Sequence, residues 1–169
     1  ARIFISYAVA DGAEAAARLR ADLEARAPSL YSVWQDLARL EGGRDWWSQI
    51  EAAIRHPVLQ HLVLIVTPAV IRHSLERQRP EIARPVIRGE LRLARRLGKT
   101  VIPIRGPGLD DLAKLPRWLG LGQIMDLAKP EHETTFLQML AGPSRHHSVP
   151  MMADSPPADF VPRKAEIDA

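Results

Sequence analysis

The chain contains no cysteine, which excludes disulfides, thiol catalysis and cysteine-based zinc sites and matches a reducing compartment. Long apolar runs are also missing. The most hydrophobic stretch, Leu62 to Val66, falls far short of the roughly 18 residues that a membrane-spanning helix needs, so no membrane partner is expected. Charge of one sign is not in great excess either. A net charge of +3 provides no large overall field for a polyanion, and nucleic acid is an unlikely partner on that count. Because the chain opens directly on a strand pattern, no secretory leader is expected, and the cytoplasm is the expected location.

What is present fits one soluble domain with a tail. The 169 residues, 46% hydrophobic and 25% charged, suffice for a single core and not for two of ordinary size. Basic residues concentrate between Arg72 and Lys99, where eight Arg and one Lys face Glu76, Glu81 and Glu90. Such a stretch is read either as a solvated helical face or as a docking surface for an acidic partner or the phosphates of a dinucleotide.

Patterning predicts alternating strands and helices. Arg2 to Tyr7 reads as a buried strand. Asp11 with Glu14 three residues later reads as a capping box opening a helix that runs through Ala27. Leu30 to Gln35 is a second strand, Asp36 to Arg44 with Gly42 and Gly43 a surface loop, and Asp45 to Arg55 a helix. His61 to Thr67 is apolar throughout, as a strand covered on both faces would be. Pro68 to His73 reads as a short helical turn, Ser74 to Pro80 as irregular, and Glu81 to Leu97 as a helix stopped by Gly98. Thr100 to Arg105 is a fourth strand in which Pro103 argues against a fully central place, and Gln123 to Leu127 is a weak fifth. Glu131 to Leu140 closes the pattern as an amphipathic helix. The alternation predicts an α/β, doubly wound, flavodoxin-like fold with a five-stranded parallel sheet. Residues 1–141 form the expected domain and 142–158, rich in Pro and Ser, an extended linker. Hydrophobic residues return at Phe160 to Ile167, which reads as the start of a further element.

Four stretches taken in order resemble the TIR (Toll/interleukin-1 receptor) domain family. They are Phe4-Ile5-Ser6-Tyr7; Trp34-Gln35-Asp36 running into Leu40-Glu41-Gly42-Gly43-Arg44 and Trp46; Thr67-Pro68, then Gly89-Glu90 ahead of Gly98-Lys99 and Val101-Ile102-Pro103-Ile104; and Leu115-Pro116-Arg117-Trp118. The tail from Pro157 to Glu166 looks like the lead-in to an NB-ARC nucleotide-binding module, in the manner of bacterial signalling ATPases. Residues 159–169 would then begin a second domain.

The resemblance implies a chemistry. Enzymatic members cleave NAD between nicotinamide and ribose, with NAD as substrate and no further cofactor or metal. Nicotinamide leaves as a neutral molecule from a cationic glycoside and needs no general acid, so one carboxylate beside the ribose can stabilise the oxocarbenium-like transition state. Glu90 matches the family's catalytic glutamate; its bland alternative is an exposed helix residue. Four residues earlier, where enzymatic members often carry Trp, stands Val86. That leaves either reduced activity or an aromatic supplied by Trp46 or Trp47. Ser6, Tyr7 and Asp36 are expected at the strand ends where open α/β sheets bind ligands. Arg39, Gly43 and Arg44 in the loop, with Trp46 and Ser74, complete the expected substrate-binding set. Trp46 also reads as core, since it shares a helix face with Ile50 and Ile54. The expected function is NAD hydrolysis to nicotinamide and ADP-ribose, or a cyclic form, in immune or stress defence when a parent protein oligomerises the domain. The competing reading is an adaptor that acts only through homotypic contacts of the loop Asp36 to Arg44.

Other motifs carry less. Gly98-Lys99-Thr100 imitates the end of a phosphate-binding loop, but Leu93 stands where its first Gly is required, and the order runs helix to strand. His146 and His147 lie in the linker without partners at ligand spacing. A receiver domain would need an acidic pair after the first strand, where Ser6 and Tyr7 stand.

Overall fold

Strands β1 (Ile3–Ser6), β2 (Val33–Gln35), β3 (His61–Val66) and β4 (Thr100–Arg105) form one sheet in the order β2-β1-β3-β4 in the computed structural model. All three pairings are parallel, with Ser6 opposite Leu64 and Leu64 opposite Pro103. The structure describes residues 2–28, 31–35, 46–75, 86–110, 115 and 123–142, with backbone alone at 34, 35, 46, 73–75 and 86. Among the described residues five helices connect and flank the strands: α1 (Val9–Arg26), α2 (Trp46–Arg55), α3 (Pro68–Leu75), α4 (Val86–Arg96) and α5 (Pro130–Ala141).

The two-residue period of the strands sorts the core into two layers. Phe4, Leu62, Leu64 and Val66 face one way and pack with Ile50 and Ile54 of α2 and with Leu91 and Ala94 of α4. Ile3, Ile5, Val63, Ile65, Ile102 and Ile104 face the other way, against Ala16 and Leu23 of α1 and Phe136 and Leu140 of α5. Every residue of β3 is buried, so the unbroken apolar run of that strand has the predicted cause. The chain reverses direction across the sheet between β1 and β3, the point at which open α/β sheets of this order place their ligands.

Helix ends show what the local signals meant. Gly98 adopts a φ of 68°, and the amides of Lys99 and Gly98 donate to the carbonyls of Ala94 and Arg95. That is the Schellman arrangement, which needs the left-handed conformation glycine adopts without strain, and α4 stops there as predicted. The capping box at Asp11 and Glu14 does not form. Helix α1 starts earlier, at Val9, its N-cap Ala8 offers no side-chain bond, and Glu14 pairs with Arg18. The Asp11 carboxylate is used by another helix: it accepts from the Thr67 hydroxyl at 2.6 Å and from the Ala69 amide at 2.8 Å, at the start of α3. A carboxylate there satisfies an otherwise orphaned helix donor and complements the helix dipole. Helix α3 itself runs on through Ser74 to Leu75, past the predicted short turn at Pro68 to His73 and into the stretch read as irregular.

The predicted fifth strand is reduced, among the described residues, to a single parallel bridge between Ile104 and Met125. Its two hydrogen bonds run from Met125 to the Pro103 carbonyl and from Arg105 to the Met125 carbonyl. Continuing the ladder back toward Gln123 would require an N–H from Pro103, and proline has none. The sheet observed therefore has four strands and a bridge.

Candidate functional site

The polar core of the molecule lies where β1 ends beneath α4. Ser6 follows Phe4 at the two-residue spacing of a strand and so points to the α2 and α4 side of the sheet. Glu90, in the second turn of α4, turns inward to meet it. The Ser6 hydroxyl donates to Glu90 Oε2 at 2.5 Å, and the two residues are 2% and 4% exposed. The exposed-residue reading of Glu90 is thereby excluded. Burying a carboxylate is unfavourable unless hydrogen bonds satisfy it. A serine bond to a carboxylate is charge-assisted and short, and it fixes the plane of the acceptor.

Beside Glu90 the backbone of α4 is bare. A Cβ built on Gly89 would lie 2.7 Å from Cη2 of Trp47, with Cζ3 and Cζ2 at 3.3 and 3.4 Å. The indole of α2 thus rests on the helix at the residue preceding the buried glutamate. Glycine in a helix interior costs about 1 kcal/mol relative to alanine, and the close approach of the ring accounts for its presence here.

The C-terminal end of β4, two strands from β1, is held by further close contacts. Gly106, just past β4, donates its amide to the Val66 carbonyl, and a Cβ on it would meet Thr67 Cγ2 at 2.6 Å and that same carbonyl oxygen at 2.8 Å. Beyond it, the Arg105 guanidinium bonds the Leu109 carbonyl and the Asp126 carboxylate. The Ala128 amide, and then Arg105, hold the Asp126 pKa below its ordinary value.

Of the residues expected at the site, the structure brings Ser6 and Glu90 together across 84 positions of sequence. Tyr7 is turned away from them: it packs with the opposite layer and against Gly12 of α1. The backbone of Trp46 opens α2 and that of Ser74 lies in α3, with both side chains outside the described residues. Asp36, Arg39, Gly43 and Arg44 lie outside them as well, as do the linker and tail after Gly142. The sequence points to Trp47 only as a replacement aromatic; a glycine in mid-helix next to the candidate glutamate is the sign that a large group approaches there.

At the opposite edge of the sheet, His61 opens β3. It is 1% exposed, and neither ring nitrogen has a hydrogen-bond partner among the described residues. Burial, with the Arg2 guanidinium nearby, holds its pKa below 6.5, against a weaker opposing pull from the Gly142 backbone. Lys99 closes this edge, donating Nζ to the carbonyls of His56 and Leu59, and partial burial lowers its pKa as well. Among the described residues no helix is long and apolar enough to cross a membrane.

No curated protein matches the sequence. A family model described as TIR domain matches residues 3–140, an interval that starts at the first residue of β1 and ends one residue before the last of α5. The match takes in the whole sheet, the Ser6–Glu90 pair and the helices on both faces, and the chain belongs to the TIR domain family.

Proposed function

We propose that this TIR domain hydrolyses NAD to nicotinamide and ADP-ribose, with Glu90 as the acting carboxylate. The observation that carries the reading is the buried Ser6–Glu90 pair at the C-terminal end of β1, at the switch point where sheets of this order bind ligands. In the proposed reaction the bond between ribose C1′ and the pyridinium nitrogen breaks and its electron pair goes to nicotinamide, which leaves neutral. Positive charge develops on the ribose ring, and the Glu90 carboxylate stabilises it. Water then adds to C1′ and releases one proton; a ribose held for attack by an adenine nitrogen instead would give the cyclic product. Ser6 keeps the carboxylate oriented before substrate arrives, so less reorganisation is needed in the transition state.

Asp36, Arg39, Gly43, Arg44, Trp46 and Ser74 are the proposed remaining contacts to substrate or to a neighbouring domain, with Tyr7 confined to a supporting place on the α1 side. Activity is proposed to depend on clustering through the loop Asp36 to Arg44. Ordering a loop and losing rigid-body freedom costs several kcal/mol, by rough estimate. An NB-ARC-like module after the linker would raise the effective concentration and offset that cost. In this reading the protein is a cytoplasmic effector of bacterial signalling or defence.

A second reading has its own observation. A buried glutamate bonded by a serine from a neighbouring strand is also what a purely structural tie between β1 and α4 looks like, as an adaptor would need. The two readings part on one experiment. Artificially clustered wild type should release nicotinamide from NAD and Glu90→Ala should not, whereas the adaptor reading expects no release from either and intact downstream association in Glu90→Ala.

A further inference from the structure

We propose that Trp47 is a positioning residue for Glu90, acting through the bare backbone of Gly89. The inference rests on the reading of Glu90 as the acting carboxylate, and the experiment below separates the two.

Helices α2 and α4 lie side by side on one face of the sheet, and Trp47 packs against the core cluster that contains Ile50, Ile54 and Leu91. Three carbons of its six-membered ring come within 2.7 to 3.4 Å of the position a Cβ would take at Gly89. Among the described residues, Arg88, Glu90 and the helix's own nearby backbone aside, no other heavy atom is nearer to that position. The ring therefore sets how close α4 can come to α2 at that level of the helix. Glu90 follows directly and projects about 100° further round the helix, toward Ser6 on β1. Ser6 holds one oxygen of its carboxylate, and the indole sets the rotation and height of the helix that carries it. A displacement of about 1 Å at a reacting group is enough to lower a rate up to about a hundredfold.

The test uses the full chain in wild type, Gly89→Ala, Trp47→Leu and the double variant. Two readings are taken: kcat and KM for nicotinamide release by clustered protein, and the ¹³C carboxylate resonance of Glu90 with its pH titration, assigned by its loss in Glu90→Gln. Gly89→Ala should move the resonance and lower kcat about tenfold with KM within about twofold. Leucine lacks the three ring atoms that crowd the new methyl group, so the double variant should move the resonance back toward wild type and recover at least about threefold of the lost rate. Should Gly89→Ala not fold, Trp47→Leu, which opens space instead of creating a clash, should shift the same resonance. The proposal is overturned if the Glu90 resonance and titration are unchanged in Gly89→Ala, or if the double variant is no closer to wild type than Gly89→Ala alone. A resonance that moves and returns as described, in a protein that releases no nicotinamide in any form, supports the positioning role and removes the NAD-cleaving reading.

Discussion

At the C-terminal edge of the sheet the buried Ser6 and Glu90 satisfy one another, and Asp11 finds both Thr67 and the amide of Ala69. At the N-terminal edge His61 is equally buried, yet neither ring nitrogen has a partner among the described residues. A neutral imidazole keeps one N–H and one acceptor nitrogen but carries no charge, and burial holds the His61 pKa below 6.5, which favours that neutral form. A carboxylate is far more expensive to bury alone, so the acidic groups are admitted only where donors have been arranged for them. Apolar residues of similar volume often stabilise a core more than a buried polar pair does. A Ser6–Glu90 pair at the edge where open sheets of this order bind ligands therefore fits a role for the oriented charge, whereas His61 at the other edge is buried without one.

The comparison can be broken from either edge. The largest loss of stability is expected from Gly106→Ala, whose methyl group would press on the Thr67 side chain and the Val66 carbonyl; denaturant unfolding should show a loss of about 3 kcal/mol. Ser6→Ala leaves the Glu90 carboxylate without a bond it now has. A loss of about 1–3 kcal/mol should follow, with a nicotinamide release rate about tenfold lower in the protein that stays folded. At the other edge the expected effect is a dependence on pH. The folded-state pKa of His61 lies below 6.5, so the unfolded chain takes up the proton first as the solution is acidified, and stability rises with pH in that window. The midpoint of thermal unfolding should hold level above about pH 7 and fall as pH drops through 6.5. His61→Leu should flatten that fall while leaving nicotinamide release unchanged. Smallest of all is Arg26→Ala, which removes an exposed ion pair from α1 to Glu133 of α5 and should change stability by less than about 1 kcal/mol.

Much of the fold was legible because its signals are local. The apolar run of β3 and the stop at Gly98 each reflect forces acting within a few residues; β3 and the end of α4 stand where the pattern put them, and the predicted start at Glu81 lies outside the described residues. Asp11 misled for a physical reason. An Asp with a Glu three residues on is a helix-opening signal only while that carboxylate is free to fold back, and here the start of α3 takes it from 56 positions away. Pro103 is a flaw in its strand, as the sequence suggests, and the consequence falls on the neighbour: without its N–H the pairing cannot extend from Met125 back toward Gln123. The candidate site was legible only through family resemblance, since Ser6 and Glu90 are 84 residues apart and no periodicity joins them. The seat of Trp47 on Gly89 was half legible. A helix-interior glycine announces a close approach, but which side chain makes it depends on how α2 and α4 pack.

The most direct measurement is the paired thermal midpoint and nicotinamide release rate of clustered Glu90→Gln. Glutamine keeps the shape of the side chain and an oxygen that can accept from Ser6, and it removes only the charge. If the carboxylate is buried for its charge, Glu90→Gln melts within a few degrees of wild type and releases nicotinamide at least about a hundredfold more slowly. A variant that releases nicotinamide within about threefold of wild type, or a wild type that releases none when clustered, would contradict the account.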